Sequence, residues 1–187
     1  MTGTRGYHHG DLRRALLDAA VEVIEESGPA AVSLRDLARR AGVSHAAPAH
    51  HFGDKAGLLT VLAVQGFEML AEALRGAGDD LLDAGVAYVD FAVRHRAHFE
   101  VMFRPELYRA DAPEVRAARE GAGDALRAGV AGRPARDGGP ADPGRDALAA
   151  WSIVHGFATL WLAGALPARV GDDPQRAARA VIRRLFA

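Results

Sequence analysis

Apolar residues recur along this chain at intervals of three and four, and no stretch alternates with the period of two that a strand needs. Leu12, Leu16, Ala19, Ala20, Val23 and Ile24 trace one face of a helix that Gly28-Pro29 stops. Ser33 is the predicted N-cap of a short helix whose apolar stripe is Leu34, Leu37 and Ala38. Ala41-Gly42-Val43-Ser44 follows. Gly42 suits the left-handed conformation that ends a helix, Ser44 suits the cap of the next helix, and Val43 suits an apolar plug between the two. Two short helices joined by such a turn are the elements of a helix-turn-helix.

Asp54 is the predicted cap of a longer helix to about Gly76, with Leu58, Leu59, Leu62, Phe67, Leu70 and Leu74 inward. The next helix runs from about Asp80 to His95 on Leu81, Leu82, Val86, Val89 and Val93. A short helix over Ala97–Phe103 ends at Pro105. Pro113 to Ala131 is helical in pattern but weakened by Gly121, Gly123 and Gly129. Gly132 to Gly144, rich in Gly and Pro, is the predicted mobile surface loop. Two further helices are predicted over about 145–166 and 174–186. The expected class is all-α: a three-helix segment over residues 1–53, then a domain of about six helices over 54–187.

Composition changes this picture little. A net charge of −1 gives no overall attraction to a polyanion, and within the first 60 residues the basic side chains are balanced by acids. His8, His9, His45, His50 and His51 fall in that segment and add positive charge where they protonate beside phosphates. Cysteine is absent, which excludes disulfides and thiolate catalysis. The pairs His8-His9 and His50-His51 are adjacent, so on a helix their side chains diverge by about 100°. No carboxylate cluster accompanies them, and no metal site is expected. Ser27, Ser33, Ser44 and Ser152 belong to no nucleophile–base pattern, and no glycine-rich phosphate loop follows a strand. Neither enzymatic activity nor a cofactor is therefore expected. The first residues hold no apolar core of a signal peptide, so the expected location is the cytoplasm.

The stretch from Val32 to Phe52, with Lys55 and Leu58-Leu59 after it, resembles the N-terminal domain of tetracycline-repressor (TetR) family transcription regulators over roughly residues 8–65. The turn, the His51-Phe52 pair and the following lysine all fall in register. The resemblance implies three helices for double-stranded operator DNA and about six for ligand and dimer contacts. Its DNA-facing positions are Ser33, Arg35, Ser44, His45, Ala46, Ala47, Ala49, His50, His51 and Lys55. Small Ala46 and Ala47 let a helix approach the major groove and offer methyls to thymine, while His45 reaches a base edge. Lys55 adds a point charge for a phosphate at a helix start. Two positions depart from the family pattern. Ala49 stands where a tyrosine is usual, two residues before His51, which removes one phosphate contact. Pro48 costs the helix after Ser44 one hydrogen bond in its first turn.

Trp151-Ser-Ile-Val-His-Gly-Phe157 resembles the Trp…His-Gly signature of one C-terminal subgroup of the same family. Trp151, His155, Ala158 and Leu162 share one helical face. Ser152, Gly156 and Ala163 form a small-residue face that, with Thr159, Val181 and Leu185, is the expected homodimer interface. The run 147–166 is apolar enough for a bilayer, but His155, Ser152, Thr159 and two glycines favour a dimer helix instead, with no membrane partner. An apolar or aromatic effector is expected among Phe67, Met69, Phe91, Phe99, Met102, Phe103, Tyr108 and Trp151, with His95, His98 or His155 as polar anchors. The expected function is a transcription repressor whose operator binding such an effector controls. The alternative, prompted by Ala49 and the neutral reading segment, is a ligand-binding helical dimer with weak or lost DNA affinity.

Overall fold

The computed structural model describes residues 9–78, 80–129 and 142–186; the predicted loop from Gly132 falls almost wholly outside them. The described residues form nine α-helices and three single 3-10 turns, with no strand among them. The helices are α1 (His9–Ser27), α2 (Leu34–Arg40), α3 (Ala47–Phe52), α4 (Lys55–Gly76), α5 (Leu81–Arg94), α6 (Arg96–Met102), α7 (Pro113–Ala128), α8 (Pro143–Leu162) and α9 (Pro174–Phe186). The expected all-α class and its three-plus-six order are what the chain adopts. Two compact units divide it. One holds the chain to Val64 together with Ala97–Val115; the other holds Gln65–Arg96 and the chain from Arg116 on.

The first unit is built around Leu16, Ala20, Ile24, Leu37, Ala38, Leu58, Leu59 and Leu62, each exposed by 1% or less. These are the residues the helical periodicity turned inward. Gly42 has φ +66, and around it the Val43 N–H donates to the Ala38 carbonyl and the Gly42 N–H to the Arg39 carbonyl. That pair of bonds closes the end of α2 as a Schellman turn, with Val43 half-buried behind it.

Two predicted caps differ. Ser33 occupies the N-cap position of α2, but its hydroxyl makes no capping hydrogen bond. Ser44 does not cap α3, which begins only at Ala47. The reason is Pro48, which sits in the first turn of α3, where its missing N–H is not needed. The predicted loss of a hydrogen bond is thus avoided by starting the helix later, with the Ser44 carbonyl accepting from the Ala47 N–H in a tight turn.

In the second unit α5 packs along α9 and α8. Gly85 permits the approach: a Cβ there would come within 2.8 Å of Ile182 Cδ1 and 3.3 Å of Val154 Cγ1. Leu81, Ala147 and Ala150 form an adjoining cluster with Leu126. Asp80 caps α5 through the Leu82 and Asp83 N–H groups. Asp142 caps α8 through Arg145, so α8 begins earlier than its periodicity indicated and stops before Gly164, at φ +64, instead of reaching Leu166. Among the described residues only α4 combines the length and apolarity of a bilayer span, and most of that window is buried within the protein.

Candidate functional site

In the first unit, α2, the Gly42 turn and α3 place most of the predicted DNA-facing residues at the surface. Arg35, Ser44, His45, Ala46, Ala49 and His50 are exposed, while Ser33, Ala47 and His51 are half-buried. The rings of His50 and His51 lie 5.6 Å apart at 70°. His8 and the His9 side chain lie outside the described residues. Pro48 and Phe52 are buried and hold α3 down, and Arg13 of α1 lies 5.5 Å from the Phe52 ring centroid. Lys55 is half-buried, its Nζ donating to the Ala30 carbonyl at 2.8 Å. An ammonium has three donors, so this bond orients the charge and leaves it intact.

The even balance of charge in the sequence reads differently in space. Arg40 binds Glu26 at 2.9 Å and Arg39 lies 3.5 Å from Asp36. The Arg40 hydrogen bond holds the Glu26 carboxyl below the usual carboxylate range. Arg109, from the segment after α6, reaches Asp54 at 3.0 and 3.1 Å. Glu26, Asp36 and Asp54 are thereby met by arginines, while Arg14 and Arg35 are exposed.

The second unit holds a polar chain within its apolar packing. The Trp151 indole N–H donates to Tyr88 Oη at 3.1 Å, and Tyr88 Oη lies 3.0 Å from His155 Nδ1. Tyr88 is 1% exposed, and burial pushes its phenol well above the ordinary value, so it keeps its proton. Burial also lowers His155, favouring the neutral ring. Trp151 and His155 were legible in the sequence. Tyr88, which joins them, was not, because it lies on another helix and its only local signal was an aromatic among apolar neighbours.

The remaining predicted pocket residues fall in both units. Phe67 and Phe91 are buried in the second, where Arg119 lies 5.5 Å from the Phe67 ring centroid and the His95 ring lies tilted beside Phe91 at 5.5 Å. Met69 is half-buried there. Phe99, Met102 and Tyr108 are buried in the first unit, with Phe103 and His98 half-buried. The Tyr108 hydroxyl donates to the Met102 carbonyl at 2.9 Å, so its polar end is engaged by backbone. Of the predicted dimer positions, Ser152, Thr159, Ala163 and Val181 are exposed and Gly156 is half-buried with nothing within 4 Å of where a Cβ would stand. The Leu185 side chain lies outside those described. Leu148 and Leu160 of the same helix are large apolar side chains left 57% and 48% exposed.

An all-helical chain with an N-terminal helix-turn-helix and a separate helical unit defines a class of two-part bacterial regulators, and the comparisons agree. Residues 16–62 match the model for bacterial regulatory proteins of the tetR family, and residues 81–185 match the tetracyclin repressor-like C-terminal domain. The chain belongs to the tetR family. The HTH-type transcriptional regulator BetI of Rhizobium meliloti is 36% identical over 108 residues, covering 57% of this chain and 47% of BetI. The chain spans about half the length of the curated relatives it matches. A Rhodococcus sp. RHA1 protein solved with unknown function is 36% identical, with a TM-score of 0.77 over 98% of this chain and 97% of that one. PfmR of Thermus thermophilus, a TetR family transcriptional regulator, shares the fold at 23% identity and a TM-score of 0.69, over 88% of this chain and 93% of PfmR.

Proposed function

We propose that this protein is a DNA-binding transcription repressor, homodimeric and cytoplasmic, that releases its operator when a small apolar or aromatic effector binds; it carries no catalysis. The observation that supports this most is the α2–Gly42–α3 turn. It exposes the small Ala46 and Ala49 beside His45 and His50, with Arg35 exposed on α2 before them. A helix entering the major groove needs small residues at its closest approach and polar ones at base edges. Family membership supports the same reading, and BetI is itself a transcriptional regulator.

One such helix makes too few contacts for a specific site, so two copies are required, with reading heads spaced by a helical turn of about 34 Å. The exposed face of Leu148, Ser152, Thr159 and Leu160 on α8, with Val181 of α9, is the surface proposed for that pairing. For the effector, the aromatic rings of Trp151 and Tyr88 with the half-buried His155 imidazole form the proposed recognition point. Selection of bound fragments from random DNA by the purified protein tests the reading. Recovery of a two-half-site sequence is the expected result. Retention of no sequence above background would sink it and favour the alternative of a ligand-binding dimer without DNA affinity.

A further inference from the structure

The reading unit contains a conflict of charge that the chain resolves from a distance. Asp54 is required locally: its Oδ1 accepts the Gly57 N–H at 2.8 Å and so caps α4. That carboxylate stands between His51 and Lys55, two of the positions proposed to meet phosphate, and its side chain is 61% exposed. Left alone, a fixed negative charge there would repel the DNA backbone and weaken the field of the adjacent lysine.

Arg109 meets it. Its Nη2 lies 3.1 and 3.0 Å from the two Asp54 oxygens. Its own backbone N–H donates at 3.1 Å to Thr60 Oγ1, which in turn donates to the Ala56 carbonyl at 2.7 Å. Room for the guanidinium comes from Gly57, where a Cβ would lie 3.0 Å from Arg109 Nη1 and, more severely, 2.0 Å from the Phe52 carbonyl oxygen. The arginine is thus held at both backbone and side chain over the first turn of α4. An ion pair this exposed adds little to folding stability, so its anchoring calls for another explanation.

We propose that Arg109 is a positioning residue for DNA binding, which cancels the charge of the helix-capping Asp54 so that the surface from His51 to Lys55 presents only neutral or positive groups to phosphate. The role rests on the DNA-binding reading above. It differs from a structural clasp in one respect: once the Asp54 charge is gone, Arg109 is no longer needed.

The test uses the full-length chain and its selected DNA fragment, with affinity read by fluorescence anisotropy and folding by thermal melting. R109A is expected to bind about three- to tenfold more weakly at about 0.1 M salt, and less so as salt rises. D54N keeps a capping oxygen and is expected to bind at least as tightly as the parent. The double variant D54N/R109A is expected to return to within about twofold of the parent, because the repelling charge is absent. R109K, which keeps the charge without the fork, should stay near the parent and decides the matter should R109A melt early. Parental affinity in R109A, a double variant as weak as R109A, or an R109K as weak as R109A would each overturn the proposal. Absence of DNA binding by the parent chain would remove the DNA-binding reading and this role together, whereas parental binding with an unaffected R109A removes only the role.

Discussion

Both units have a buried apolar core and water-exposed polar contacts between distant segments: Arg40 on Glu26 and Arg109 on Asp54 in the first, Arg179 on Asp83 and Gln175 on Asp90 in the second. They differ at their candidate sites. The polar groups around the reading surface of the first, with Lys55 on the Ala30 carbonyl, lie open to water. In the second the chain Trp151–Tyr88–His155 is partly buried between α5 and α8, beside a residue 85 that has no room for a Cβ. The difference follows from use. A surface that reads a hydrated polyanion must keep its charges wet and fix them by turns and short-range pairs. A unit proposed to enclose an apolar ligand gains from packing and needs few polar groups, each satisfied.

The largest expected effect should sharpen that contrast. Ile182, 1% exposed against Gly85, truncated to Ala should cost about 2–5 kcal/mol of stability, read by denaturant unfolding. Breaking Arg40–Glu26 with R40A should cost at most about 1 kcal/mol. Equal losses would mean that an exposed ion pair is worth as much here as a buried apolar contact.

Next comes the turn of the reading unit. Gly42→Ala places a Cβ where no atom lies within 4 Å, so only the backbone at φ +66 objects. A loss of about 1–2 kcal/mol is expected from that conformation alone. An unaffected melting temperature would show that the turn relaxes to another geometry.

A pH series probes the buried polar chain. Burial lowers His155 from its ordinary value of 6.5, so the folded protein prefers the neutral ring more than the unfolded chain does. The associated stability is present above pH 6.5 and is lost as pH falls through the lower folded value, since the unfolded chain then binds more protons. His155→Gln should flatten the fall in melting temperature between about pH 7 and about pH 5. Parallel curves for parent and variant would place the acid sensitivity in other groups. Tyr88→Phe should cost about 1–3 kcal/mol by removing the hydroxyl shared by the Trp151 indole N–H and His155 Nδ1.

The smallest effect separates a cap by position from a cap by bonding. Asp80→Ala should cost about 1 kcal/mol, whereas Ser33→Ala, whose hydroxyl makes no capping bond, should cost less than about 0.5 kcal/mol. A larger loss at Ser33 than at Asp80 would contradict the hydrogen-bond assignment in the two units.

What the sequence determined by itself is what acts within a few residues along the chain. Gly42 in the left-handed conformation, Asp54 as a cap, and the inward stripe of Leu58, Leu59 and Leu62 are consequences of backbone sterics and helical period, and each was legible. Where two local signals competed, reading was weaker: Ser44 looked like a cap, but Pro48 suits the first turn of a helix and moved the start of α3 to Ala47. Contacts between segments far apart were decided only by the tertiary structure. Nothing near Arg109 points to Asp54, nothing near Tyr88 points to Trp151 and His155, and nothing near Gly85 points to Ile182. Such pairings depend on the path of the whole chain, and a side chain's neighbours in sequence carry no record of the partner that path will bring to it.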